Sequence, residues 1–150
     1  MGTPDKSARV ELRQEAGYRF ANDFGAGIGL VPSDEPAPLG TGTGPSPLQL
    51  LAAAVGNCLA ASLLFALRKF QQRAEPIRAT VLAREGRNEQ NRLRVKSIEV
   101  RIDLGAPARA LENLERILAS FEEYCTVTQS VRQGIPVAVE VYDGEGARLK

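Results

Sequence analysis

Two residues in this sequence carry thiol chemistry, Cys58 and Cys125. Their setting decides whether that chemistry is available. Cys58 sits among Val55, Gly56, Leu59 and Ala61, in a stretch with helical spacing of apolar residues. That context also suits an inert, packed cysteine, because free cysteine is among the most buried residue types. Cys125 precedes a short helical pattern, Thr126 to Gln133. A helix N-terminus favours a thiolate, whereas the preceding Glu122 and Glu123 oppose one. The two cysteines stand 67 residues apart, so no local C-x-x-C motif joins them and any partnership must come from the fold.

Histidine is absent. This excludes Ser-His-Asp and Cys-His catalysis within one chain, and any zinc site that needs histidine. Two cysteines are too few for a closed structural zinc site.

The elements that must position the thiols follow from hydrophobic spacing. Val10–Gly17 and Tyr18–Phe24 read as strands with Gly17 near the turn, and Ile28–Val31 as a short third strand. Gly25, Gly27 and Gly29 give G-x-G-x-G with no helix directly after it, which is not a dinucleotide fingerprint. Pro32–Pro47 is rich in proline and glycine and must be loop. A long helix follows, with Ser46 as N-cap and Pro47 at its first position, running to about Arg73 before Pro76. Leu51, Ala54, Val55, Cys58, Ser62 and Phe65 share one of its faces. Its apolar surface extends almost all round, as expected of a central helix.

Ile77–Arg87 and Leu93–Leu104 read as an antiparallel hairpin with a slip in the alternation near Lys96-Ser97. Pro107–Phe121 is an amphipathic helix with Leu111, Leu114, Ile117, Leu118 and Phe121 inward. Ile135–Tyr142 is a last strand. This order predicts an α+β fold with helices on an antiparallel sheet, in one domain spanning residues 1–150.

Net charge is +1, which gives no electrostatic reason to expect nucleic acid or an anionic membrane as partner. The Leu48–Leu67 run is about twenty residues long, but its Gln49 and Asn57 argue for a core helix over a membrane span. Met1–Glu15 is polar, without a signal-like apolar core, so the expected compartment is the cytoplasm.

Two motifs carry a resemblance. Gly44-Pro45-Ser46-Pro47 leads through Leu48-Gln49-Leu50-Leu51 into an apolar helix that reaches Val55-Gly56-Asn57-Cys58. Glu123-Tyr124-Cys125-Thr126-Val127-Thr128-Gln129-Ser130 follows later, then Gly134-Ile135-Pro136-Val137 and a final strand. In this order they resemble the two cysteine motifs of the OsmC/Ohr family, over about residues 10 to 143. The resemblance implies an OsmC/Ohr-like fold, an antiparallel sheet packed on a long central helix in an intertwined homodimer with active sites between subunits. It also implies a thiol peroxidase acting on small hydrophobic hydroperoxides in oxidative-stress defence. Cys58 would be the peroxidatic and Cys125 the resolving cysteine, a dithiol would be the reductant, and no metal or organic cofactor would be needed.

The family's peroxidases carry a glutamate at the start of the cysteine helix and an arginine on an earlier loop. Here Leu48 and Gln49 stand at the helix start, and the loop offers Asp34 and Glu35 but no arginine. Gln49 can donate a hydrogen bond to a peroxide or thiolate, and Arg19 is the candidate cation, although Tyr18-Arg19-Phe20 also reads as a solvated strand face. A divergent, non-catalytic module binding a small hydrophobic ligand is the alternative. A redox sensor without multiple turnover ranks last, since no DNA-reading element is evident.

Overall fold

The computed structural model describes residues 7–25 and 27–150. The start of the polar N-terminal stretch, residues 1–6, and Ala26 of the glycine run lie outside the described residues. The chain divides into two compact units, one up to Leu50 and one from Leu51 to Lys150.

The first unit is a three-stranded antiparallel sheet in sequence order, β1 (Glu11–Ala16), β2 (Arg19–Asp23) and β3 (Leu30–Ser33). Ala16 pairs with Arg19, leaving a two-residue turn in which Gly17 takes a φ of 54°. Such turns need positive φ, which glycine adopts without penalty. Asn22 is buried, and its amide donates to the carbonyl of Val31 and the hydroxyl of Ser33, both at 2.9 Å.

Beyond β3 the loop is organised by Asp34, which is 2% exposed. Its Oδ2 accepts from the hydroxyl of Thr41 (2.6 Å) and of Thr43 (3.1 Å), and from both their backbone N–H groups. The Thr41 hydroxyl, with the other donors and against the cost of burial, holds this carboxyl far below the usual carboxylate range.

Helix α1 (Pro47–Lys69) begins on a capping box. The Ser46 N–H donates to Gln49 Oε1 at 2.8 Å, and the Gln49 N–H donates to Ser46 Oγ at 3.3 Å. The helix stops four residues short of Arg73. Gln71 takes a left-handed φ of 58°, the Gln71 N–H bonds back to Arg68 O, and the Gln72 N–H bonds back to Leu67 O. This is a Schellman stop, usually signalled by glycine, and glutamine gives no such signal.

The second unit holds the sheet β4 (Arg78–Arg87), β5 (Leu93–Asp103) and β6 (Val137–Tyr142) in that order. β4 and β5 form the expected hairpin. Arg84 faces Ser97 and Glu85 faces Val95, so Lys96 is the extra residue of a bulge at the anticipated slip. β6 pairs parallel to β5, which corrects the expectation of a wholly antiparallel sheet. The segment between them crosses over and returns the chain in the same direction.

Within it, Pro107–Phe121 is not the one helix expected. A 3-10 turn (Ala108–Ala110) and α2 (Leu114–Ser120) are separated by Asn113 at φ 56°. A second 3-10 turn (Phe121–Tyr124) leads to α3 (Thr126–Arg132).

Ile98, Val100 and Ile102 alternate along β5 and join Val55, Leu59, Leu63 and Leu67 of α1, with Ile117, Phe121 and Val141, in one core. The buried stripe of α1 is therefore rotated from the face read off the sequence. Ala54 is exposed and Phe65 is 69% exposed. A helix apolar nearly all round does not define its own inward face, and the contact with the sheet selects it. That contact is tight at Gly56, where a Cβ would lie 2.5 Å from Val81 Cγ2.

Candidate active site

α1 supplies Cys58, two residues beyond the Gly56–Val81 contact and half-buried beside the core. Cys125 is the N-cap residue of α3 and fully buried. The 3-10 turn before it ends by its N–H bonding to Glu122 O at 3.0 Å, and its own carbonyl accepts the Gln129 N–H at 2.9 Å. The residue is thus fixed by backbone bonds on both sides.

Cys58 packs against the core cluster that contains Cys125. Burial first, and the neighbouring Cys58 side chain second, push the Cys125 thiol above the ordinary cysteine range, with Thr128 opposing. The Cys125 Sγ–H donates to Thr128 Oγ1 at 2.9 Å. Burial thus favours the neutral Cys125 thiol, and Cys58 is the less buried residue of the two. A half-buried sulfur beside a buried thiol can react with an oxidant from outside and then with its neighbour inside, provided the two sulfurs can reach bonding distance.

The other two candidates belong to the first unit and are engaged locally. Gln49 spends its amide oxygen on the capping box. Together with Asp34, Thr43 and Ser46 it lines a shallow depression. Arg19 Nε donates to Glu15 Oε2 at 2.9 Å in a half-exposed ion pair, the solvated-strand arrangement.

Two residues at the site were not singled out from sequence. Thr128 follows Cys125 by three positions, the spacing at which an N-cap side chain meets the first turn of its helix. From its position before Cys125, Glu122 reads as an opposing charge, but its carboxylate is paired with Arg132 and Lys150. Among the described residues no group of three His, Cys, Asp or Glu side chains is placed to hold a metal ion.

A family model described as OsmC-like protein matches residues 40–140. Comparison with curated proteins gives no match. Among solved structures, the chain is similar to a putative osmotic stress induced and detoxification response protein from Psychrobacter arcticus. That pair is 17% identical over 92% of this chain and 98% of that one, with a TM-score of 0.75. The organic hydroperoxide resistance protein OhrB of Bacillus subtilis is 17% identical over 91% of this chain and 98% of that one, with a TM-score of 0.69. An organic hydroperoxide resistance protein OsmC from Legionella pneumophila is 16% identical over 92% and 99%, with a TM-score of 0.71. At these identities the likeness is one of fold.

Proposed function

Because the chain belongs to the OsmC-like family and shares the α+β fold of OsmC/Ohr proteins, we propose that it is a cysteine-based peroxidase that reduces organic hydroperoxides to alcohols in oxidative-stress defence. Cys58 attacks the peroxide as thiolate. The O–O bond breaks, the alkoxide leaves and takes up a proton to become the alcohol, and Cys58 is left as a sulfenic acid. Cys125 then displaces the hydroxyl as water, closing a Cys58–Cys125 disulfide. A dithiol reductant returns two electrons and two protons by exchange and restores both thiols.

The observation that supports this reading is that both cysteines belong to one packed cluster, with Cys58 half-buried at its edge and Cys125 fully buried within it. The surrounding core residues suit a small hydrophobic hydroperoxide better than a charged oxidant. In this reading the protein works as a cytoplasmic homodimer. It needs no metal or organic cofactor, and neither nucleic acid nor a membrane is a partner.

The test is mass spectrometry after a stoichiometric dose of an alkyl hydroperoxide. The expected product is a Cys58–Cys125 disulfide, formed faster than with hydrogen peroxide and absent in Cys58→Ser. Unmodified thiols after prolonged exposure would sink the proposal.

One observation favours a second reading, a non-catalytic module that binds a small hydrophobic ligand. Gln49 and Arg19, the candidates for assisting the thiolate, are occupied by Ser46 and Glu15. Ligand binding that survives Cys58→Ser with Cys125→Ser, in a protein inert to hydroperoxide, would favour it.

A further inference from the structure

Glu122 lies three residues before Cys125. Its backbone carbonyl accepts two hydrogen bonds, from the Cys125 N–H and from Gln129 Nε2, each at 3.0 Å. Its side chain is only 13% exposed, and two cations pin it, Arg132 on Oε2 and Lys150 on Oε1. Burial pushes this carboxyl up, but Lys150 and Arg132 outweigh it and bring it below the usual range.

Lys150 is anchored from both sides. Its N–H and carbonyl pair with the carbonyl and N–H of Val141 in β6. Its Nζ also donates to Leu118 O at 3.1 Å and lies 5.0 Å from the centre of the Phe121 ring. Among the described residues, the polar and cation–π contacts of the Lys150 side chain thus fall on residues 118–122, the segment that delivers Cys125. A partly buried ion triad is a weak source of stability, because desolvation offsets its attraction. Arg132 illustrates the cost, since its Nε is buried without a hydrogen-bond partner. What such a triad supplies well is fixed geometry.

We propose that Lys150 is a positioning residue for the resolving step: with Arg132 it clamps Glu122, and through Glu122 it holds the turn that presents the Cys125 thiol to Cys58. The inference rests on the redox-pair reading above. In the step concerned the S–S bond forms, the S–O bond of the Cys58 sulfenic acid breaks, and the Cys125 proton leaves with the hydroxyl as water. When the clamp is loose the sulfenic acid persists. A second hydroperoxide molecule then oxidises it to sulfinic acid and leaves as alcohol.

The test compares wild type, Lys150→Met, Lys150→Arg and Glu122→Gln. Met keeps the aliphatic contact with Phe121 and removes the charge. After a stoichiometric hydroperoxide pulse, sulfenic acid is trapped with dimedone and disulfide is followed by mass spectrometry. In Lys150→Met and Glu122→Gln, disulfide closure is expected to slow about tenfold, while the initial oxidation of Cys58 keeps its rate. Lys150→Arg is expected to restore closure.

A parallel arm closes the disulfide with diamide, an azo oxidant that takes the two electrons and two protons from the thiols. It needs no peroxidase activity, so a wild type inert to hydroperoxide defeats the functional reading while this arm still judges Lys150. Closure within about twofold of wild type in both charge-removing variants overturns the inference, as does a wild type that forms no disulfide with either oxidant. If one variant fails to fold, the other carries the comparison.

Discussion

The Cys125 thiol is shifted upward by two separable causes, burial and then the Cys58 thiol. Removing the neighbour removes only the second. In Cys58→Ala the Cys125 thiol should titrate lower than in wild type but still above the ordinary value of about 8.5, because burial remains. Ultraviolet thiolate absorbance against pH reads this directly, and an unchanged Cys125 titration would show that the thiols do not interact. The stability consequence has a definite sign. Below the ordinary thiol pKa the residue is neutral folded or unfolded, and its contribution is fully present. As pH rises, the unfolded chain ionises first and stability falls until the folded thiol ionises too. Both cysteines and the Ser46 N-cap were legible in the sequence from residue type, whereas the Gln49 half of the capping box was not, because a glutamine at the start of the cysteine helix also reads as a donor toward the thiolate. The Thr128 contact was not, because a sulfur at an N-cap with a hydroxyl as its acceptor departs from the usual capping residues.

Among the elements, α1 and β4 touch where a glycine meets a valine. A Cβ on Gly56 would come within 2.5 Å of Val81 Cγ2. Valine is stiff at χ1, so the clash is relieved only by moving the helix or straining the rotamer. Overpacking of this kind costs about 1–3 kcal/mol, whereas Gly→Ala inside a helix gains up to about 1 kcal/mol. The clash wins, and Gly56→Ala should lower the urea midpoint. In a Val81→Ala background the clash is gone and the same substitution should raise it. A midpoint that moves the same way in both backgrounds would remove Gly56 from the helix–sheet contact.

Element order and the Lys96 bulge were readable, because β propensity and a break in period-2 alternation are local signals. The parallel pairing of β6 and the inward stripe of α1 were not, since both depend on distant partners. The break at Asn113 hides for another reason. A left-handed asparagine interrupts the helix without disturbing the spacing of Leu111, Leu114 and Ile117.

At the scale of the whole molecule, the exposed side of α1 is the feature that asks for a partner. Ala53, Ala54, Asn57, Ala61 and Phe65 form an outward stripe, apolar except at Asn57, whose amide is bonded to the Ala53 carbonyl. Phe65 is 69% exposed and Tyr124 is 71% exposed. Single exposed apolar residues are ordinary, but a row of them along several helical turns ending in an aromatic is a surface suited to association. In the proposed homodimer this stripe would be covered, with Phe65 as its aromatic anchor. Aromatic anchors of interfaces typically contribute at least about 2 kcal/mol. Phe65→Glu should therefore weaken self-association by about thirtyfold or more, read by sedimentation equilibrium. The fold should survive, because Phe65 lies outside the buried core and the substitution opens no cavity there. If the active sites lie between subunits, hydroperoxide turnover should fall with dissociation, while diamide closure of Cys58 with Cys125 persists inside each subunit. A wild type that stays monomeric at high concentration, or a Phe65→Glu variant that dimerises as tightly, would assign the stripe no such role.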